Sequence, residues 1–251
     1  MNLPRTIAAV IVAKNFNESF ERTMPSLKEA LPYFTRLYIV SPDSEWKNPN
    51  ALPTSNLVFL KDRGIGIYEA MNLILLQDDL EDYILFLNAG DELLSTEYLK
   101  ECKSLLKVYG DTVAIVSGYR TRLAKPYPKL ILLFLGERIV NASMDPRKIK
   151  QCSFMIKTEV FRELNGFNPE YKIAADYDLI VKVLGYNRTR IVNIISSLFY
   201  LDGVSSLNRV KSLKEQRLVE SRSVMLVSSR SWGKLVYFYL RMLRAKIIDF
   251  F

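Results

Sequence analysis

The sequence contains no histidine and only two cysteines. The first absence removes imidazole bases, imidazole metal ligands and Ser-His or Cys-His nucleophile pairs, so any proton transfer falls to a carboxylate. The second excludes a disulfide framework and a zinc cluster. Cys102 and Cys152 both lie among apolar residues and read as core thiols in a reducing compartment. No apolar run approaches the ~18 residues that cross a bilayer. The longest, around residues 7–13 and 130–135, are strand-sized. The start "MNLPRTIAAVIVAKN" has no small-residue cleavage site, so no signal peptide and a cytoplasmic location are expected. In that setting the N-x-S/T triplets at Asn17, Asn141 and Asn187 are coincidence. Glycine-rich phosphate loops are missing too. In "GIGIYE", Glu69 stands where a dinucleotide fingerprint needs its third glycine, and Gly233-Lys234 has no glycine five residues earlier.

What is present is ordinary in bulk: 251 residues, 49% hydrophobic and 25% charged, enough for one α/β domain or two small ones. The net charge of +8 is unevenly placed, because residues 201–251 hold ten Lys or Arg against Asp202, Glu215, Glu220 and Asp249. An anionic partner is implied: nucleic acid, a phosphorylated small molecule or a membrane surface.

Along the chain, "TIAAVIVA" has the continuous β-branched character of a fully covered parallel strand. The helical "ESFERTMPSLKEAL" comes next, then the strands "RLYIV" and "NLVFL". "IYEAMNLILLQDDL" reads as a helix, "DYILFL" as a strand, "STEYLKECKSLLKVYG" as a helix closed by Gly110, and "TVAIVSGY" as a strand. This alternation predicts a doubly wound, mostly parallel sheet over about residues 1–120. Beyond it, "KLILLFLGERIV" and "QCSFMIK" suit strands of a mixed sheet. "TEVFRELNGF" and "DYDLIVKVLG" suit helices ended by Gly166 and Gly185, and "RIVNIISSLFYLDG" a late strand. From about Val210 to Gly233 the pattern is helical.

In an open α/β sheet ligands bind beyond the carboxyl ends of the strands. Four successive strand ends there carry polar groups: Lys14 and Asn15, Ser41 and Asp43, Asp62 and Arg63, and Asn88 with Asp91. Taken singly, each is also an ordinary turn former, and "NAGD" needs no ligand to exist.

Three stretches, "DRGIGIYEAMN" (62–72), "DYILFLNAGDELL" (82–94) and "GFNPEYKIAADYDLIVKV" (166–183), together resemble the family 2 glycosyltransferases, especially bacterial enzymes of surface-polysaccharide biosynthesis. Weaker echoes are "IVAKN", whose Asn15 matches the end of the family's first-strand I-I-P-T-Y-N, and "FYLDGVSS". The resemblance spans about residues 6–206. It implies a GT-A, Rossmann-like fold, a mixed and mostly parallel sheet flanked by helices. The catalytic domain would occupy 1–206, with a nucleotide-binding half to about 120 and an acceptor half from 121, and a helical tail at 207–251. It implies an inverting, hexosyltransferase-type enzyme that uses a nucleotide-diphosphosugar, by the family's habit a UDP-sugar, and a saccharide acceptor, free or carried on a polyprenyl lipid.

Residue by residue, Asp91 matches the last acidic position of the family's metal motif. Asn88 and Gly90 stand where many relatives have Asp, so the donor diphosphate would supply the missing oxygens around Mn²⁺ or Mg²⁺. Asp43 falls roughly at the base-binding Asp, while Asp62, Arg63 and Asn72 match positions that line the nucleotide pocket. Asn88 joins them beside the donor. Asp176 matches the catalytic base, although an Asp directly before a helical apolar stripe is also what an N-cap looks like. Asp178, two residues on, takes a structural role.

In the tail, Arg230, Lys234, Arg241 and Arg244 share one arc at helical spacing. Such a helix either lies in the headgroup layer of an anionic bilayer, a peripheral membrane contact, or packs on the catalytic domain with a solvated basic edge. Nucleic acid is not expected as a partner, since the aromatics do not interleave with basic residues on a sheet-like platform. Two rivals remain. A nucleotidyltransferase would need a glycine-rich first loop that "AKNFNESF" lacks, and an inactive membrane-binding relative would keep the fold without the transfer.

Overall fold

The computed structural model describes residues 5–16, 18–43, 54–123, 137–201, 208–223, 238–243 and 245–246. The apolar run at the start forms β1 (Ile7–Val12), buried along its whole length. Its side chains alternate between two cores. Ala8, Val10 and Val12 join one cluster, and Ile7, Ala9 and Ile11 the other. A strand buried on both faces has no polar side, which is why the run reads as continuously apolar.

The first half continues through α1 (Glu18–Ala30), β2 (Arg36–Ser41), β3 (Leu57–Lys61), α2 (Ile67–Asn72), β4 (Tyr83–Asn88), β5 (Glu92–Leu93), α3 (Thr96–Val108) and β6 (Ala114–Arg122). The second half adds β7 (Ile139–Val140), β8 (Phe154–Lys157), α4 (Thr158–Glu163), α5 (Ala175–Leu184), β9 (Thr189–Tyr200) and α6 (Arg209–Arg222). These strands make one sheet in the order β3-β2-β1-β4-β8-β6-β9-β5, with β7 on β6. Strands β1, β2, β3, β4, β6 and β9 run one way, and β5, β7 and β8 the other. The sheet is therefore mixed and mostly parallel, as the alternation of elements predicted. Phe20, Met24 and Leu27 of α1 and Tyr98, Leu99 and Cys102 of α3 cover one face. Residues of α2, α4, α5 and α6 cover the other.

Several elements differ in detail from the sequence reading. The helix expected over "IYEAMNLILLQDDL" stops at Asn72 and tightens into a 3₁₀ turn, Leu73–Leu76. There the carbonyls of Leu75 and Gln77 turn out to the Arg162 guanidinium instead of continuing the helical ladder. "QCSFMIK" divides into a 3₁₀ turn, Gln151–Ser153, and the short β8. Of "KLILLFLGERIV" only Ile139–Val140 is described as strand, and residues 124–136 lie outside the described part.

Helix α6 packs against α5. Val219 enters the core beside Leu179 and Val183, and the Tyr177 hydroxyl donates to Glu220 at 3.1 Å. The packed body thus runs past residue 206. Of the expected basic arc only Arg241 is described, half-buried in a helical stretch at 238–243; Arg230, Lys234 and Arg244 lie outside the described residues. Among the described residues no helix is long and apolar enough to cross a membrane.

One close approach fixes the loop that leads into α5. Asn165 and Gly166 both have positive φ, 57° and 71°, and end α4 by reversing the chain. The Asn72 side chain then clamps the backbone of the next residue: its Nδ2 donates to the Phe167 carbonyl at 2.7 Å, and its Oδ1 accepts from Phe167 N at 2.8 Å. A Cβ on Gly166 would stand 2.3 Å from that Oδ1. The Phe167 ring completes a cluster with Phe86 and Phe161, at centroid distances of 5.1 and 5.3 Å. Gly166→Ala should destabilise the fold by roughly 1–3 kcal/mol from the left-handed backbone alone, with the clash added. Urea unfolding measures the sum.

Candidate active site

Strand β1 pairs in parallel with β4, with Val12 opposite Asn88, so the segments leaving both strands emerge side by side. Strand β8 pairs antiparallel with β4, with Leu85 opposite Met155. The segment before β8 therefore arrives at the same edge. These segments enclose a cavity of about 280 Å³, lined by Lys14, Asn15, Asn88 and Asp91 from the parallel side, Lys150 from the antiparallel side, and Asp176 from the start of α5. Tyr68 of α2 and Phe199 near the end of β9 close its walls.

"NAGD" is a turn, with Asp91 N donating to the Asn88 carbonyl at 2.9 Å. Gly90 supplies the positive φ, 112°, and its N–H donates to Thr23 of α1 at 2.8 Å, which pins the turn to the helix below. The Asp91 carboxylate is buried and accepts from Asn88 N at 3.2 Å. Asn88 Oδ1 is buried with no hydrogen-bond partner, an unmet acceptor beside that carboxylate.

Asp176 sits in the first turn of α5 but does not cap it: the N-cap is Ala174, with no side-chain bond. Its Oδ1 instead lies 3.0 Å from the Tyr68 hydroxyl, whose single proton it shares with the Ile173 carbonyl at 2.6 Å. Burial pushes its carboxyl above the ordinary aspartate range, against the opposing pull of Lys150, the Tyr177 N–H and Tyr68. Burial together with the Asp176 charge likewise holds the Tyr68 phenol well above its usual value, so it remains a donor. Asp178 turns away into an ion pair with Lys182 at 2.7 Å.

Thus Asn15, Asn88, Asp91 and Asp176 converge, and four other expected residues do not line the cavity. Asn72 spends its amide on Phe167, where the chain reversal leaves two backbone groups in need of partners. Asp62 accepts from Gly64 N, and its own N–H donates to the Ser41 carbonyl. Asp43 donates its N–H to Ser41 Oγ at 3.1 Å, and Arg63 is exposed. Asp43, Asp62 and Arg63 stand further along the same edge, at the ends of β2 and β3.

Tyr68, Lys150 and Lys172 are cavity residues that a search for polar groups at the ends of parallel strands does not find, since none of them stands at one. Glu215 of α6 was equally hidden. Its Oε2 accepts from Ile173 N at 2.8 Å and Ala174 N at 3.1 Å, tying down the backbone directly before Asp176.

No protein-family model matches the sequence, and no curated protein does. Solved structures do match. Mannosyltransferase PcManGT from Pyrobaculum calidifontis, in complex with GDP-Man and Mn²⁺, aligns over 97% of this chain and 69% of its own with a TM-score of 0.63 at 12% identity. TarS 1–349 of S. aureus aligns over 96% and 71%, with a TM-score of 0.60 at 13% identity. The chain has the GT-A fold. GalNAc-T7, solved with UDP, GalNAc and Mn²⁺, shares it at a TM-score of 0.55 and 14% identity, over 86% of this chain and 48% of the other.

Within this GT-A domain no three His, Cys, Asp or Glu side chains gather as a metal cluster among the described residues. The cavity offers the Asp91 carboxylate and the unpartnered Asn88 Oδ1. These are two hard oxygens, and they fit a divalent cation that takes the rest of its shell from a diphosphate and water.

Two expectations concern stability. The folded chain holds the Asp176 proton more tightly than the unfolded chain, so wild-type stability falls as pH rises from the ordinary aspartate range through the raised value. Asp176→Asn should therefore be more stable than wild type at neutral pH and lose that advantage in acid, as urea unfolding across this range will report. Glu215→Ala, which leaves two backbone N–H groups unpaired, should cost about 1–3 kcal/mol; Glu215→Gln, whose amide oxygen still accepts, should cost less.

Proposed function

We propose that this chain is an inverting glycosyltransferase that moves a sugar from a nucleotide-diphosphosugar, a UDP-sugar in the first instance, to a saccharide acceptor in surface-polysaccharide biosynthesis. The observation that carries the reading is the meeting of Asp91 and Asp176, drawn from separate sequence motifs, on one cavity at the carboxyl edge of the sheet. In this reading Asp176 takes the proton of the acceptor hydroxyl as that oxygen attacks the anomeric carbon. Its raised proton affinity suits the task, and the Tyr68 hydroxyl orients the carboxylate. One in-line displacement inverts the anomeric centre.

Asp91 and Asn88 Oδ1 would hold Mn²⁺ or Mg²⁺, which when bound neutralises charge on the leaving diphosphate. Asn15 borders the donor in the cavity, and the nucleoside would extend along the edge past Asp43, Asp62 and Arg63. An acceptor carried on a polyprenyl lipid, with the basic tail resting on the inner face of the cytoplasmic membrane, agrees with the concentration of positive charge after residue 201.

Calorimetric titration with UDP, GDP, CDP and dTDP, each with Mn²⁺, should find one tight nucleotide, and Asp91→Ala should remove the Mn²⁺-dependent part of its binding. Asp176→Asn should bind the same nucleotide yet lower transfer by about 10²–10⁴. Undiminished transfer in that variant would show that the base is another group.

A further inference from the structure

We infer that Lys150, assisted by Lys172, holds the diphosphate of the donor directly, so that nucleotide binding persists in part without a divalent cation; this rests on the nucleotide-sugar reading of the site. Three lysines, Lys14, Lys150 and Lys172, line the cavity against two carboxylates, Asp91 and Asp176. The balance is positive, and among the described residues no three His, Cys, Asp or Glu side chains gather there as a metal cluster. None of the three lysines makes an ion pair with another described residue. Their charge is therefore available to an anion.

Lys150 is the best placed. Its ammonium stands 5.0 Å from the centroid of the Phe199 ring, a contact that orients the side chain without neutralising it. Its field reaches both Asp176 and the Cys152 thiol, and Asp91 acts on that same thiol. Lys150 thus lines the same cavity as the proposed base and the proposed metal ligand, where the donor diphosphate would sit. Its backbone is held in advance. The Lys150 carbonyl accepts from Ser153 N at 2.9 Å and Ser153 Oγ at 2.8 Å, and Lys150 N donates back to that Oγ at 3.3 Å. A cation on a fixed loop loses little freedom when it binds.

The chemistry balances without another reactant. The acceptor oxygen bonds to the anomeric carbon, and the bond from that carbon to the phosphate oxygen breaks with its electron pair passing to the phosphate. The hydroxyl proton goes to Asp176. The Lys150 side chain faces the charge that the leaving diphosphate gains and exchanges no atom with it.

The test is calorimetric titration of the full chain, with excess chelator, by the nucleoside diphosphate that binds best with Mn²⁺ and by its parent nucleoside. Wild type should bind the diphosphate in chelator, and Lys150→Met should weaken that binding about tenfold to a hundredfold while leaving the nucleoside unaffected. Lys150→Arg should restore most of the loss. Lys172→Met, at an exposed position, should give a smaller loss of the same sign, and Lys107→Met on the exposed side of α3 none. Loss of all wild-type diphosphate binding on chelation, or equal binding by wild type and Lys150→Met, overturns the inference while metal-dependent binding leaves the glycosyltransferase reading standing. No diphosphate binding with or without Mn²⁺ overturns both.

Discussion

Strand β4 lies between a parallel neighbour and an antiparallel one, and the cavity exists because of that seam. At this edge a parallel partner contributes the segment that leaves it, and an antiparallel partner the segment that enters it. The turn bearing Asp91 and the loop bearing Lys150 therefore meet although they are far apart in sequence. The register that brings them together is locked by burial on both sides: Ile84 and Phe86 enter one core, and Tyr83, Leu85 and Leu87 the other. A slip of one residue would exchange the two sets and move Asp91 along the edge.

On this frame the site is a local compromise. A carboxylate partly withdrawn from water is costly, and Asp176 is held against that cost by an ammonium, a backbone N–H and a phenol, which together do not offset its burial. The unmet oxygen of Asn88 is a second departure from the rule that buried polar atoms find partners. Both departures fall on the same cavity, at the ends of β1 and β4, two strands that are almost wholly apolar and buried. Local discord of this kind at a cavity is what a binding site adds to a fold.

How much of this was legible in the sequence depended on how local the cause was. Strands β1 and β4 announce themselves, because continuous burial demands continuous apolarity, and α3 is marked by its Ser95 cap. The convergence of Asp91 and Asp176 could be expected only through the resemblance, since nothing in the spacing joins them. Asn72 shows the opposite limit. A motif position tells which residue is required but not whether its side chain faces a ligand or a neighbouring loop, and here it faces the loop. Lys150 escaped because the strand it introduces runs backwards, a fact of topology that no local pattern carries. Glu215 escaped because its two backbone partners lie across a helix–helix contact.

The clamp between Asn72 and Gly166 has an evolutionary consequence. The amide at one position occupies the space that any side chain at the other would need, and Phe167, directly beyond the glycine, gives both its N–H and its carbonyl to that amide. The two sites form a single unit of inheritance. Divergent descendants of this chain should keep both residues or replace both, leaving a covarying pair that marks where the two halves of the domain are sewn together.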